Sequence, residues 1–488
     1  MNKNKLHQYA ATVFFLLSLT ACKPVEIQQR AANKTVPEMY GSEQNDSSNS
    51  GKMKWNDYFN DQNLQTLISQ ALQNNQELNI VLQEIEISKN EIKARKGEYL
   101  PTVGLKAGAG VDKVSRYTNI GAMEANTEIE HGKEMPEPLF DFGIGVQAKW
   151  ETDIWGKLHN ATRAQVQRYL ATVEGKNFMI TNLISEIADS YYELLALDNE
   201  LVILNQNIKI QNDALNIIKE LKKNARSNEL AVKRFQAQVL KTQGMQYDIQ
   251  QKIVETENKI NFLIGRFPQP VERSHDFNSV LPQTVFAGIP SELLENRPDI
   301  KQAEYELAAS KLDIKSAKAR FYPSLDIGAG IGLQAFNPVY LVKPESFLFS
   351  LAGELTAPLI NRSAIKAAYK NANAKQIQAV YHYEQTVLGA YIEVANQLSK
   401  IKNLNNSVSI KMQEVDALTK SIDISNDLFK YARADYMEVL LTQRDALESR
   451  FELVEKKVDQ LKASVAVYRA LGGGWDQNPI NQQDFIKK

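Results

Sequence analysis

LFDFGIGVQAKWE, residues 139–151, decides how this chain folds. Phe140, Phe142, Ile144, Val146, Ala148 and Trp150 alternate with Asp141, Gly143, Gly145, Gln147, Lys149 and Glu151. A period of two marks a strand with one apolar face and one small or polar face. The pattern recurs in PTVGLKAGAGV (101–111), PSLDIGAGIGLQAF (323–336) and SFLFSLAGELTAPL (346–359). Each run matches the roughly 9–11 residues that a membrane-crossing strand needs. Tyr99, Tyr117, Trp150, Trp155, Phe321, Tyr322 and Tyr340 sit near the strand ends, where an interfacial aromatic girdle would lie. A soluble sandwich would use the same alternation with its apolar face on a core.

Four strands cannot close a barrel, and lipid does not tolerate an open sheet edge. Strands that span must therefore be pooled by several chains. Two chains give eight strands, whose side chains fill the interior; three give twelve and leave a lumen. The charges predicted on the lumen face are Lys106, Asp112, Asp141, Lys149, Glu151, Asp326 and Glu354, a mixed set without a clear ion preference.

The rest of the chain reads as long helices. From about Gly156 to Ile264 there is no proline and apolar residues recur at helical spacing, with a turn at KKNARSNEL. Arg362 to Asn426 repeats the pattern, KYARADYME is its turn, and Val439 to Leu471 is the return. The halves correspond in sequence: NARSNELAVKRFQAQ matches YARADYMEVLLTQRD 207 positions on, and KARKGEYLPTVGLKAGAGV matches KSAKARFYPSLDIGAGIGL 222 positions on. One unit of helix, hairpin, long helix and long helix is thus used twice. The first repeat is expected over 53–270, with its hairpin at about 101–151 and helices at about 156–265; the second over 288–474, with hairpin 323–357 and helices 361–471. Residues 475–488 are left as a C-terminal tail.

The N-terminus has Lys3 and Lys5, a short apolar run from Ala10 to Ala21, and then Cys22, the one cysteine of 488 residues. That is the layout of a secretory signal peptide, residues 1–21. Without a second thiol there is no disulfide. Residues 22–52 are polar and irregular and read as a tether or wrapping segment. A formal net charge of −1 gives no bulk case for nucleic acid. His7, His131, His159, His275 and His382 are scattered without metal-ligand spacing, and HExxH, P-loop and GxSxG motifs are missing. The chain is read as a non-enzyme without a cofactor.

With the duplicated hairpins, LTAC at 19–22, WETDIWGKL at 150–158, IPSELLENRPDIKQAEYELAASKLDIKSAKARFYPSL at 289–325 and YRALGGGW at 468–475 resemble the outer-membrane factor lipoproteins of tripartite efflux pumps, the TolC/OprM-like (NodT-type) family. The resemblance implies a homotrimer with a twelve-stranded barrel in outer-membrane lipid and a helical tunnel reaching into the periplasm. It implies an acylated Cys22, a lipobox cysteine, as the only covalent group, and a periplasmic adaptor and an inner-membrane pump as partners. Lys23 after the cysteine resembles outer-membrane sorting. The function implied is a passive exit channel; the duct of a type I protein secretion system and a structural trimeric stalk are the alternatives. In the family the tunnel's periplasmic end is constricted and opened by the adaptor. That end should be the turns near Ala225 and Ala432, with Asp427, Lys430, Tyr431, Arg433, Asp435 and Tyr436 as candidate gate residues.

Overall fold

The computed structural model describes residues 24, 26–40, 48–274, 277, 280, 282, 284–358, 360, 362–431 and 433–475. The expected leader, Cys22, Ala432 and residues 476–488 of the tail lie outside the described residues. Helices α1 (Gln62–Asn74) and α2 (Gln76–Glu98) lead into strand β1 (Thr102–Asp112). A loop carrying α3 (Asn119–Glu124) and the small hairpin β2 (Glu128–Glu130) and β3 (Lys133–Glu134) leads to β4 (Leu139–Thr152). Two long helices follow, α4 (Lys157–Lys223) and α5 (Glu229–Leu263). The second half runs α6 (Pro298–Ala319), β5 (Ser324–Ala335), β6 (Phe347–Thr356), α7 (Ser363–Lys430) and α8 (Tyr436–Ala470). At 67 and 68 residues, α4 and α7 are each about 100 Å long.

The long strands form one antiparallel sheet, ordered β1-β4-β5-β6. The two hairpins are joined because β4 pairs with β5 from Phe142↔Ala335 to Thr152↔Leu325. The helices before β1 and β5 (α2, α6) and after β4 and β6 (α4, α7) attach at one end of the sheet, so the sheet caps a helical body.

Within that body the short helices extend the return helices. Asn75 caps α2 by accepting from Leu78 N at 2.8 Å, and donates its Nδ2 to Leu263 O at the end of α5, also at 2.8 Å. In the second half Arg297, at the start of α6, donates Nη1 to Ala470 O at the end of α8 at 2.7 Å. These joints are counterparts: Asn75 and Arg297 differ by 222 positions, Leu263 and Ala470 by 207. Both need glycine. Gly265 has φ +70° and its Cβ would lie 2.5 Å from Asn74 O; Gly472 has φ +84° and its Cβ would lie 2.7 Å from Asn296 O. Only glycine combines that backbone with so close an approach. The main core surrounds this level, with Tyr191, Ile184, Leu194, Phe59 and Tyr468 fully buried.

Candidate channel-forming surfaces

The sheet register sorts its residues into two faces. Leu105 pairs with Val146, Val146 with Ile331 and Ile331 with Phe349. These four are 75, 40, 53 and 77% exposed, so among the described residues nothing covers the apolar face. The opposite face brings Lys106 to Gly145, Gly145 to Gly332 and Gly332 to Leu348. It lines a cleft of about 390 Å³. A Cβ on Gly145 would lie 2.7 Å from Ile331 O, and one on Gly332 2.6 Å from Ile144 O. Backbones this crowded on the glycine side make it the inside of the sheet's curve. The alternation is that of a strand set with lipid outside and water inside. Edge strands β1 and β6 each pair on one side only.

The sequence-expected lumen charges share the glycine face. Glu151, Asp326 and Glu354 form one row, Glu151↔Asp326↔Glu354, at the helix end of the sheet. Lys157 forms an ion pair with Glu151, and Gln334 Nε2 donates to Asp141 Oδ1 at 2.8 Å.

The aromatic residues divide. Trp150 Nε1 donates to Tyr99 O at 3.0 Å, and Trp155 Nε1 to Pro323 O at 2.8 Å with its ring stacked on Tyr322. They lie at the helix end of the sheet. Phe321 corrects the girdle expectation: it is fully buried, edge-on to Tyr369. The chain turns from α6 into β5 there, and the ring fills the corner.

Residues 26–40 lie along α7. Ile27 packs into the corner with Phe321 and Tyr369. Arg30 pairs with Glu384 at 2.9 Å, Lys34 with Glu304 at 2.5 Å, and Tyr391 Oη donates to Met39 O at 2.9 Å. This strap starts beside the sheet and runs away from it.

At the far end, both long helices stop in the same way. Arg226 N donates to Leu221 O and Arg433 N to Leu428 O, each at 2.8 Å. Ala225 takes the left-handed φ of 58°. Of the six candidate gate residues, Asp427 and Lys430 lie on the last turn of α7, Tyr431 caps it, Arg433 is in the turn, Asp435 is the N-cap of α8 and Tyr436 opens α8. The helix therefore runs four residues beyond the expected end at Asn426, because nothing before the Leu428–Arg433 bond interrupts it. All six gather at one tip, and five are exposed. Tyr436 is half-buried against a cluster containing Phe235 and Val439. Among the described residues no ion pair joins Asp427, Lys430, Arg433 and Asp435.

Sequence reasoning missed a polar seam where α4 meets α8. Gln211 and Gln443 are each 1% exposed, and neither amide has a hydrogen-bond partner among the described residues. The signal was legible: Leu197, Leu204, Gln211 and Ile218 recur every seven residues on α4, with glutamine in a core position. Nearer the main core, burial pushes the Asp189 carboxyl up to about 6 and Glu200 up to about 7.

A sheet with a bare apolar face, a crowded polar face and two free edges, set on helices about 100 Å long, defines a subunit of a membrane channel. The chain belongs to the outer membrane efflux protein family, whose model matches residues 67–266 and 289–473. It is 26% identical over 466 residues to the cation efflux system protein CusC of Escherichia coli O6:H1, across 94% of this chain and 97% of the relative. It is 25% identical over 471 residues to the solvent efflux pump outer membrane protein SrpC of Pseudomonas putida, across 95% and 97%. The solved structure of the outer-membrane channel OprN superposes with a TM-score of 0.82 at 22% identity, covering 93% of this chain and 99% of that one. The sequence-based assignment to this family, to the outer membrane and to efflux holds.

Proposed function

We propose that three copies of this chain pool their sheets into a twelve-stranded barrel and form the passive exit channel of a tripartite efflux system. One observation carries the reading: the four-stranded sheet pairs an uncovered apolar face with free edges at β1 and β6. In lipid those edges must meet another chain. The long helices then continue the duct into the periplasm, where the tips of α4–α5 and α7–α8 face an adaptor coupled to an inner-membrane pump. Asp427, Lys430, Tyr431, Arg433, Asp435 and Tyr436 ring the tunnel mouth as its gate. The chain carries no catalytic role, and energy comes from the pump.

Cys22 carries the lipid. Ile27 is anchored at the sheet–helix corner; five residues span at most roughly 17 Å, so an acyl chain on Cys22 reaches the inner rim of the bilayer. No other cofactor is required. The test is reconstitution of the purified protein in planar bilayers, with its mass measured in detergent. Trimers that conduct support the reading. A monomer, or a trimer without conductance even after the tip charges are neutralised, refutes it.

A further inference from the structure

The two helical hairpins of the chain, α4–α5 and α7–α8, meet where α8 packs on α4, and this seam differs from the packing inside each hairpin. Leu204 with Leu447, and Leu215 and Ile218 with Val439, form two apolar layers across it. Between these layers stand the enclosed amides of Gln211 and Gln443. Nearer the main core, one ion pair crosses the seam, Glu193 to Lys462. One turn before Glu193 on α4 is Asp189, whose Oδ1 is enclosed and has no hydrogen-bond partner among the described residues. Two turns beyond Glu193 is Glu200.

The charges around Asp189 are Lys462 and Arg469 of α8, Lys259 of α5 and Lys400 of α7. Three of these cations have other partners: Lys462 holds Glu193, Lys259 holds Glu186 at 3.2 Å, and Arg469 holds Glu393 at 3.0 Å. Glu200 faces Lys252 of α5, Glu455 of α8 and Glu193 of its own helix. It is thus half-buried with two other carboxylates and one cation. A deprotonated Asp189 or Glu200 is poorly matched to the packed seam, whereas each neutral acid fits it.

We propose that the packing of the α7–α8 hairpin on α4 is proton-linked, with Asp189 and Glu200 taking up protons as the seam closes and releasing them as it loosens. The sign follows from burial. Both carboxyls are pushed above their ordinary values in the packed state, to about 6 and about 7. In a loosened, hydrated seam they return to the ordinary carboxylate range. Packing is then favoured as pH falls through 7 and on below 6, and the gain is lost as pH rises through about 6 for Asp189 and about 7 for Glu200. Each group changes the equilibrium by up to about tenfold per pH unit between its two values. The unpartnered Gln211 and Gln443 lower the cost of the shift, because loosening exposes both amides to water.

The test uses the full-length protein in detergent, with wild type compared with an Asp189→Asn, Glu200→Gln double variant that mimics the protonated seam. Limited proteolysis follows cleavage rates in α8 from pH 5 to pH 8. Wild type should be cleaved several-fold faster at pH 8, while the double variant should stay at the slow rate throughout. Equal pH profiles for the two proteins would overturn the proposal. Should the double variant not assemble, spin labels on exposed sites of α4 and α8 in wild type decide it. A distance distribution that narrows on acidification supports proton linkage, and one that is constant or broadens overturns it. Neither readout depends on conductance, so a failed channel reading and a failed seam would be told apart.

Discussion

Arg297 is the sharpest place to test how the body is held together. Its guanidinium is 7% exposed as a side chain and serves three partners. It forks onto Asp299 at 3.0 and 2.7 Å, reaches Glu393 at 2.8 Å and caps Ala470 O at 2.7 Å. Replacing it with alanine strips a charge-assisted donor from a buried carbonyl, which costs about 1.5–3 kcal/mol. Removing one partner of a buried ion pair costs about 3–5 kcal/mol. Two features lower that figure here. Glu393 keeps Arg469 at 3.0 Å, and Asp299 stands in the first turn of α6, where the helix end compensates its charge. The expected loss for Arg297→Ala is therefore about 3 kcal/mol. Arg297→Lys keeps the charge but not the fork, so about half the loss should return. Asn75→Ala, at the counterpart joint, removes an N-cap and one carbonyl bond and should cost about 1–2 kcal/mol. Chemical denaturation in detergent, followed by tryptophan fluorescence, measures all three. An Arg297→Ala protein within about 0.5 kcal/mol of wild type, the range of an ordinary surface substitution, would refute the joint as a structural lock.

Other outcomes follow from the same surfaces. Gly332→Ala should cost about 1–3 kcal/mol through forced displacement of the β4 backbone and reduce SDS-resistant oligomer, while Gly328→Ala, whose Cβ meets nothing within 4 Å, should leave the oligomer intact. Asp427→Asn with Arg433→Gln should raise single-channel conductance if tip charges close the mouth; unchanged conductance removes them from the gate. Cys22→Ser should lower the amount of oligomer recovered in the outer-membrane fraction, and normal recovery would remove the anchor's role in targeting.

The strands and the faces they present were legible because a period of two writes burial directly into the sequence. Phe140 to Trp150 needed no partner to be read. The pairing of β4 with β5 was not legible in the same way, since it joins residues almost two hundred positions apart and rests on register. The long helices were legible from spacing, but the end of α7 was not. Leu428 and Lys430 are good helix residues, and the stop at Leu428–Arg433 is a backbone bond with no side-chain signature. Arg297 stands in the 289–325 stretch that carries the family resemblance, but its burial against Ala470 O depends on a contact 173 positions away.

The duplication also explains where the two halves had to diverge. Both joints cap the last carbonyl of a return helix, one with a neutral amide at Asn75 and one with a guanidinium at Arg297. The amide satisfies its own helix start and one neighbour. The guanidinium also draws in Glu393 of α7, and through it Arg469 of α8. The second half is thereby locked at the level of the main core by ions. Beyond that lock, α8 meets α4 through Gln211, Gln443 and carboxylates that burial disfavours. A hairpin fixed firmly at one end and packed imperfectly along its length bends about the fixed end. The tip that carries Asp427 and Arg433 is then the part of α7–α8 displaced farthest by any loosening of the seam.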